Sequence, residues 1–222
     1  MVRVIDPYFE RIEVALSDWD KEVVFERIER AARTCYKSED LMALGSGEKL
    51  VKSLVNRGHW AMIEFGGLFM VRFICDRGFS HEIVRHRHCS FAQESTRYCD
   101  YTKGKFGEEI TVVNPPGLQK NTEAYNDWLL GMERAEKAYM TLRKQNFKPQ
   151  IARANLPISV KTEICVAANL REWHHIFTLR CAPAAHPSMR QLMIPLLDEF
   201  HLLIPFLFDD LWQKYCEKKS RK

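Results

Sequence analysis

The sequence lacks any run of apolar residues approaching the roughly 18 that cross a bilayer, so no membrane-spanning helix is expected. Its first residues, Met1-Val2-Arg3-Val4, lack the pattern of a secretory leader, and the expected location is the cytoplasm. Cys-x-x-Cys pairs are also missing. The seven cysteines, at 35, 75, 89, 99, 165, 181 and 216, form an odd set best read as reduced thiols. Disulfide scaffolding and a zinc ribbon are therefore not expected. No GxGxxG follows a strand and no P-loop occurs, which argues against a Rossmann domain and an ordinary nicotinamide dehydrogenase. Excess charge is scarce as well. The net charge is +4, and Lys218, Lys219, Arg221 and Lys222 lie among the last five residues. The remainder is close to neutral, so no general nucleic-acid surface is implied. With no internal repeat, low-complexity run or Gly/Ser-rich linker, the reading is a single domain over 1–217 followed by a basic tail at 218–222.

The apolar spacing that is present alternates between two periods. Residues 2–5 and 11–16 suggest short strands around the Asp6-Pro7 turn. Asp20 reads as the cap of a helix near 21–36, and a second helix over 47–57 ends at Gly58. Leu68–Cys75 is the strongest strand signal. Asp76 caps a helix expected over 77–87, which would carry Arg77, Glu82, Arg85 and His86. A long amphipathic helix is expected over 119–146, with Tyr125, Trp128, Leu129, Met132, Ala135 and Tyr139 recurring at three and four. Pro149 ends it and leads to Arg153. A strand over 162–168 precedes a helix over 170–180, and 187–216 is helical with interruptions at Pro195 and Pro205. The class is α+β, a modest mixed sheet with flanking helices and a helical C-terminal part.

The densest chemistry lies in Arg85-His86-Arg87-His88-Cys89-Ser90-Phe91-Ala92-Gln93-Glu94-Ser95-Thr96-Arg97-Tyr98. Within these fourteen residues are three arginines and no lysine. A guanidinium is planar and permanently charged, and it grips phosphate or the edge of a flat heterocycle through paired hydrogen bonds. The stretch reads as a site for a planar, anionic ligand. Ser95 invites a nucleophile reading with His86 or His88 as base, but no nucleophile-elbow glycines surround it, and a phosphate donor is preferred. His59 follows a helix-ending glycine, where a capping role is common. Histidines 81, 86, 88, 174 and 175 show no carboxylate or Cys partner at convincing ligand spacing. Arg85 and Arg87 would repel a cation, so no metal is expected. Asn169 is the candidate cap of the 170–180 helix, with Trp173, Ile176 and Phe177 as core. Arg171 and His175 are i,i+4 neighbours on that helix.

Arg-His-Arg, seven residues, then Ser, followed by Arg-Tyr, resembles the signature of the flavin-dependent thymidylate synthases. The resemblance runs from about residue 28 to 200. It implies methylation of dUMP to dTMP, with 5,10-methylenetetrahydrofolate as carbon donor, reduced FAD as hydride source and NADPH to regenerate the flavin. It also implies a homotetramer whose active sites collect residues from several subunits. Arg77, Glu82, Gln93, Ser95, Arg97, Arg153 and Arg180 fall on positions around the nucleotide, with Arg180 at the uracil edge. Glu64, Arg85, His86, Arg87, Asn169, Arg171 and His175 fall on flavin-side positions. His59 is the candidate for positioning folate or guiding a proton. This makes Arg180, Ser95 and His59 the residues nearest the chemistry, and no cysteine nucleophile is required. Ala61 stands where the family carries a hydroxyl residue, and Ala184 where some relatives carry a histidine. Two other readings are a nucleotide- or RNA-binding module built on the Arg-rich loop, and a flavin reductase that takes no dUMP. Near-neutral charge opposes the first, and the second leaves Gln93, Ser95, Arg97 and Arg180 without a purpose.

Overall fold

The computed structural model describes residues 2–13 and 19–217. In chain order the first elements are strands β1 (Arg3–Ile5) and β2 (Tyr8–Ile12) and helices α1 (Lys21–Thr34) and α2 (Ser46–Asn56). A 3-10 turn over Trp60–Gly66 leads into strand β3 (Phe69–Asp76), helix α3 (Arg77–Ile83), and strands β4 (Ser90–Gln93) and β5 (Thr111–Val113). Helix α4 (Glu123–Lys144), the short α5 (Pro149–Ala152) and strand β6 (Lys161–Ala168) come next. Helices α6 (Leu170–Arg180), α7 (Pro187–Leu203) and α8 (Pro205–Tyr215) complete the chain. The architecture is α+β. Strands β1 and β5 pair in parallel, and a four-stranded sheet runs in the order β2-β3-β6-β4. No helix among the described residues is long and apolar enough to cross a membrane.

Two compact units form. The first comprises Met1–Phe9, Arg72–Arg85 and Phe91–Cys165. Its core joins Val2, Tyr101, Ile110, Val112, Tyr139 and Ala152. Helix α4 starts where Thr122 accepts a hydrogen bond from the Tyr125 amide. Of its expected apolar stripe only Tyr139 is fully buried, with Trp128 and Met132 packing half-buried against the core. Arg143 near the end of α4 holds Asp100 through two hydrogen bonds, at 3.1 and 2.7 Å. This pair keeps the Asp100 carboxyl well below the usual carboxylate range.

The second unit comprises Glu10–Val71, His86–Ser90 and Val166–Lys222. Asp20 caps α1 by accepting from the Glu22 amide at 2.8 Å, as its sequence position predicts. Helix α2 ends with Gly58 at φ +75°, where the Gly58 amide reaches Val55 O and the His59 amide reaches Leu54 O. That paired motif places His59 at the mouth of the 3-10 turn. Gly66 lets this turn pack tightly, because a Cβ there would meet Leu170, Val24 and Ile28 at 3.1–3.3 Å. The core is aromatic: Trp19, Phe69, Trp173, Phe177, Phe200 and Phe208 contact one another with centroids 5.0–5.9 Å apart. The Trp173 indole N–H donates to Phe69 O at 3.0 Å, which satisfies the one polar atom its burial would orphan.

Three expectations are corrected. The helix expected over 77–87 stops at Ile83, so only Arg77 and Glu82 lie on it, while Arg85 and His86 lie in the turn after it. From that turn the chain enters strand β4 and not a plain loop. The strand expected over 11–16 begins at Tyr8, and β1 pairs with β5. Residues 14–16, and the basic tail 218–222, lie outside the described residues.

Candidate active site

The site residues expected from the sequence gather into two sets, one in each unit. In the first unit Asp76 caps α3, its Oδ1 accepting from the Phe79 amide at 2.6 Å. Arg77 thus starts the helix, and its amide is tied to Ile158 O at 3.0 Å. Its Nη2 donates to Glu94 O at 3.1 Å, while its buried Nε has no partner among the described residues. A buried guanidinium donor without an acceptor is costly and invites one from a ligand. Gln93 Nε2 donates to Ser80 Oγ at 2.9 Å and Thr162 Oγ1 at 3.1 Å. Thr162 can reach inward because β6 buries every second residue. The carbonyl of Gln93 is left to accept. Glu94, which no sequence signal singles out, is the anchor of the loop. It takes the Tyr101 hydroxyl at 2.9 Å and Lys161 at 3.1 Å, and its amide donates to Glu163 O at 2.8 Å.

Ser95 opens a turn in which its carbonyl accepts from the Tyr98 and Cys99 amides. Its Oγ accepts from the Arg97 amide at 3.3 Å, which leaves the hydroxyl proton to donate. Among the described residues no hydrogen bond joins a histidine to that oxygen. Arg97 is exposed over the Tyr98 ring, 5.4 Å from its centroid. Arg153, also exposed, donates to Thr96 at 3.4 Å. Glu82 is half-buried on α3, and Arg85 is exposed after it.

In the second unit Asn169 caps α6 through Oδ1, which accepts from the Glu172 amide at 2.9 Å. Arg171 Nη1 donates to Glu64 Oε1 at 2.6 Å and not to His175. A cleft of 460 Å³ is lined by Glu64, His88, Asn169, Arg171, Glu172 and His175. Beside it His86 is buried, its ring edge-on to His175 with centroids 5.7 Å apart. His86 Nε2 accepts from Arg180 Nε at 3.0 Å, and its Nδ1 lies 3.4 Å from Glu172 Oε1. Burial, then the charge of Arg180, then His175, lower the His86 pKa to about 4. Cys89 places its thiol 4.0 Å from the same Glu172 oxygen. Burial and that carboxylate push the thiol up to about 12, which suits an inert group. Arg87 and His59 are exposed, and His59 makes no side-chain cap bond despite its position.

Glu172 was not legible as a site residue. Asn169-x-x-Glu172 has capping-box spacing, which would aim the carboxylate back at the helix start; the fold directs it to His86 instead. The expectation that no histidine has a carboxylate partner is thereby corrected. His86, Glu172 and His175 each bring one ligand atom within 4.8 Å of the others. The Arg180 guanidinium already donates to Nε2 of His86, and Nδ1 faces Glu172. One ring nitrogen of His86 is thus engaged in a hydrogen bond, and the other lies 3.4 Å from the Glu172 carboxylate.

The two sets offer guanidinium and amide donors together with carboxylate and carbonyl acceptors. Such sites suit an anionic ligand with a polar, planar ring. Residues 20–206 match the family model described as thymidylate synthase complementing protein. The flavin-dependent thymidylate synthase of Mycolicibacterium gilvum is 29% identical over 201 residues, covering 82% of this chain and 78% of its own length. That of Mycolicibacterium vanbaalenii is 30% identical over 203 residues with the same shares, and that of Mycobacterium tuberculosis 29% over 203.

Proposed function

The chain belongs to the thymidylate synthase complementing protein family and is a flavin-dependent thymidylate synthase; from that premise we propose that it methylates dUMP to dTMP. In this reading 5,10-methylenetetrahydrofolate is the carbon donor and NADPH the reductant. The observation that carries it is the cleft of the second unit. Four flavin-side residues marked in the sequence, Glu64, Asn169, Arg171 and His175, line that one cavity. The donor set fits FAD: Arg171 offers positive charge to a pyrophosphate, and the Asn169 side-chain amide is left to donate because its oxygen caps α6. When bound, the flavin supplies the hydride.

The remaining roles belong to the protein. Uracil must become electron-rich at C5 to accept a one-carbon unit, and Arg180 at its carbonyl edge stabilises the charge that develops. One such donor is worth about 3 kcal/mol. Gln93, whose amide N–H groups are held by Ser80 and Thr162, presents its carbonyl to the ring N–H. Ser95, Arg97 and Arg153 donate to phosphate, and Arg77 Nε gains the acceptor it lacks. Glu82 lies on the nucleotide side, Arg85, His86 and Arg87 on the flavin side, and His59 positions folate or guides a proton.

We extend the reading to assembly and place. Residues 1–217 act as one synthase domain with a basic tail, in a cytoplasmic homotetramer whose subunits share active sites. Metal and nucleic acid have no part in it. A purified sample that is yellow, binds dUMP and forms dTMP supports the proposal. Failure to take up FAD, with binding of RNA through the Arg-rich loop, would favour the binding module.

A further inference from the structure

We propose that His86, Cys89, Glu172 and His175 form a binding site for a divalent zinc ion, and that filling it switches the enzyme off. The inhibitory part rests on the flavin role proposed for the adjoining cleft; the ion takes no part in the reaction itself. The four residues come as two pairs, His86-x-x-Cys89 and Glu172-x-x-His175. The second pair lies on α6 at i,i+3, a spacing that sets two ligands on one helix face, as in helical Glu-x-x-His metal sites. The first lies between α3 and β4. Neither pair is a ligand set by itself, and the second unit brings the two together.

The separations are those of ligands around one ion. One ligand atom from each of His86, Glu172 and His175 lies within 4.8 Å of the others. His86 Nδ1 and Glu172 Oε1 are 3.4 Å apart. Zinc bonds of about 2.0–2.1 Å to nitrogen and oxygen, at the tetrahedral angle, place two such atoms about 3.3–3.4 Å apart. Cys89 Sγ stands 4.0 Å from the same oxygen. A zinc–sulfur bond of about 2.3 Å calls for about 3.6 Å, so the thiol closes in by a few tenths of an ångström. The His175 ring is exposed and can turn to complete the set. Two imidazoles, a carboxylate and a thiolate are a borderline-soft donor set, which suits zinc and not magnesium or calcium. Glu172 and His175 line the cleft of 460 Å³, which gives the ion an entry path.

Arg180 decides what occupation does. Its Nε donates to His86 Nε2 at 3.0 Å, so that nitrogen carries the lone pair and the neutral ring holds its proton on Nδ1. An ion on Nδ1 needs the lone pair there, and the ring proton passes to Nε2. An Nε2–H facing the Arg180 Nε–H sets donor against donor, so the ion and this hydrogen bond exclude each other. The Cys89 thiol releases its proton to solvent on binding, and the thiolate and the Glu172 carboxylate together balance the two charges of the ion. The bound ion thus removes one contact of Arg180 and takes two residues of the cleft wall that faces flavin. Both effects oppose the proposed reaction.

The test titrates Zn²⁺ and Co²⁺ into the full-length protein, with and without FAD, by calorimetry and visible absorption. One Zn²⁺ per chain is expected. Co²⁺ is expected to show the intense visible bands of a four-coordinate ion and a near-ultraviolet sulfur-to-cobalt band. Cys89→Ser and Glu172→Gln should each weaken Zn²⁺ binding by more than the about 10–100-fold that an outer-shell partner costs, and Cys89→Ser should remove the sulfur band. His174→Ala, next in sequence but paired with Asp210, should bind as the wild type does. FAD at about ten times its Kd should weaken Zn²⁺ binding about tenfold by linkage. Formation of dTMP should fall in step with occupancy and return when a chelator is added. A pale six-coordinate Co²⁺ spectrum, no saturable binding, or wild-type affinity in both variants overturns the site. Zn²⁺ and FAD bound together without antagonism overturns the switch. If the protein takes up no FAD, the flavin reading of the cleft falls, and titration of the flavin-free protein still decides the metal site.

Discussion

Arg171 and Glu64 stand 107 residues apart in sequence, yet Nη1 and Oε1 meet at 2.6 Å. The pair ties the Trp60–Gly66 turn to the first turn of α6. Both side chains are about half exposed, so solvent screens the attraction and its worth to stability is about 1 kcal/mol at most. Glu64→Gln should therefore barely move the urea midpoint. Flavin affinity should fall about tenfold, the scale of one hydrogen bond to a charged group. Parallel urea unfolding and FAD titrations separate the two effects, and unchanged FAD affinity would remove Glu64 from the flavin side.

Ser95→Ala tests the choice between phosphate donor and nucleophile. A hydroxyl that only donates to phosphate contributes about 1–2 kcal/mol, so dUMP binding should weaken by about 5–30-fold with turnover at saturation largely kept. Isolation of a covalent Ser95–uracil adduct by mass spectrometry would reverse the ranking.

His86 makes stability depend on pH with a definite sign. Its pKa falls from 6.5 to about 4 on folding, so between these values the unfolded chain binds more protons than the folded one. Stability then rises with pH across that window. It is fully present above pH 6.5 and decreases as pH falls toward 4, by about 3 kcal/mol in all. Groups facing the ring are Arg180, His175 and Glu172. Urea unfolding from pH 4 to 7 should show a shallower slope in His86→Gln than in the wild type. Parallel slopes would mean that His86 is not held neutral.

The parts legible in the sequence are those with local causes. Asp20, Asp76 and Asn169 each cap the helix their position predicts, because a short acceptor before an apolar period has one good use. The boundary at Ile83 was hidden because the chain stays polar and helix-compatible through Arg87, with no Gly or Pro to mark the stop. Strand β4, Ser-Phe-Ala-Gln, shows no alternation of its own and exists through its place beside β6. Within the site, the Arg-rich stretch announced itself by composition. Glu94 and Glu172 did not, since each owes its role to partners tens of residues away: Lys161 for one and His86 for the other.

Capture of FAD should depend on assembly. The cleft of 460 Å³ lies within the second unit, and the sequence has no GxGxxG turn after a strand to hold a pyrophosphate. If neighbouring subunits complete the site, mass action makes FAD stabilise the oligomer, raising its melting temperature and its resistance to dilution. Light scattering across a dilution series, with and without FAD, measures this. A monomer that binds FAD stoichiometrically would defeat the shared site while leaving the reaction untouched.

The most direct test of the central claim is release of tritium from C5-labelled dUMP. The wild type should release it when methylenetetrahydrofolate, FAD and NADPH are all present, with dTMP formed alongside. Arg180→Lys keeps the charge but loses the planar fork, and should slow release by about 100-fold or more while retaining flavin. Flavin-loaded wild type that releases no tritium and forms no dTMP would contradict the account, and near wild-type release by Arg180→Lys would remove that residue from the uracil edge.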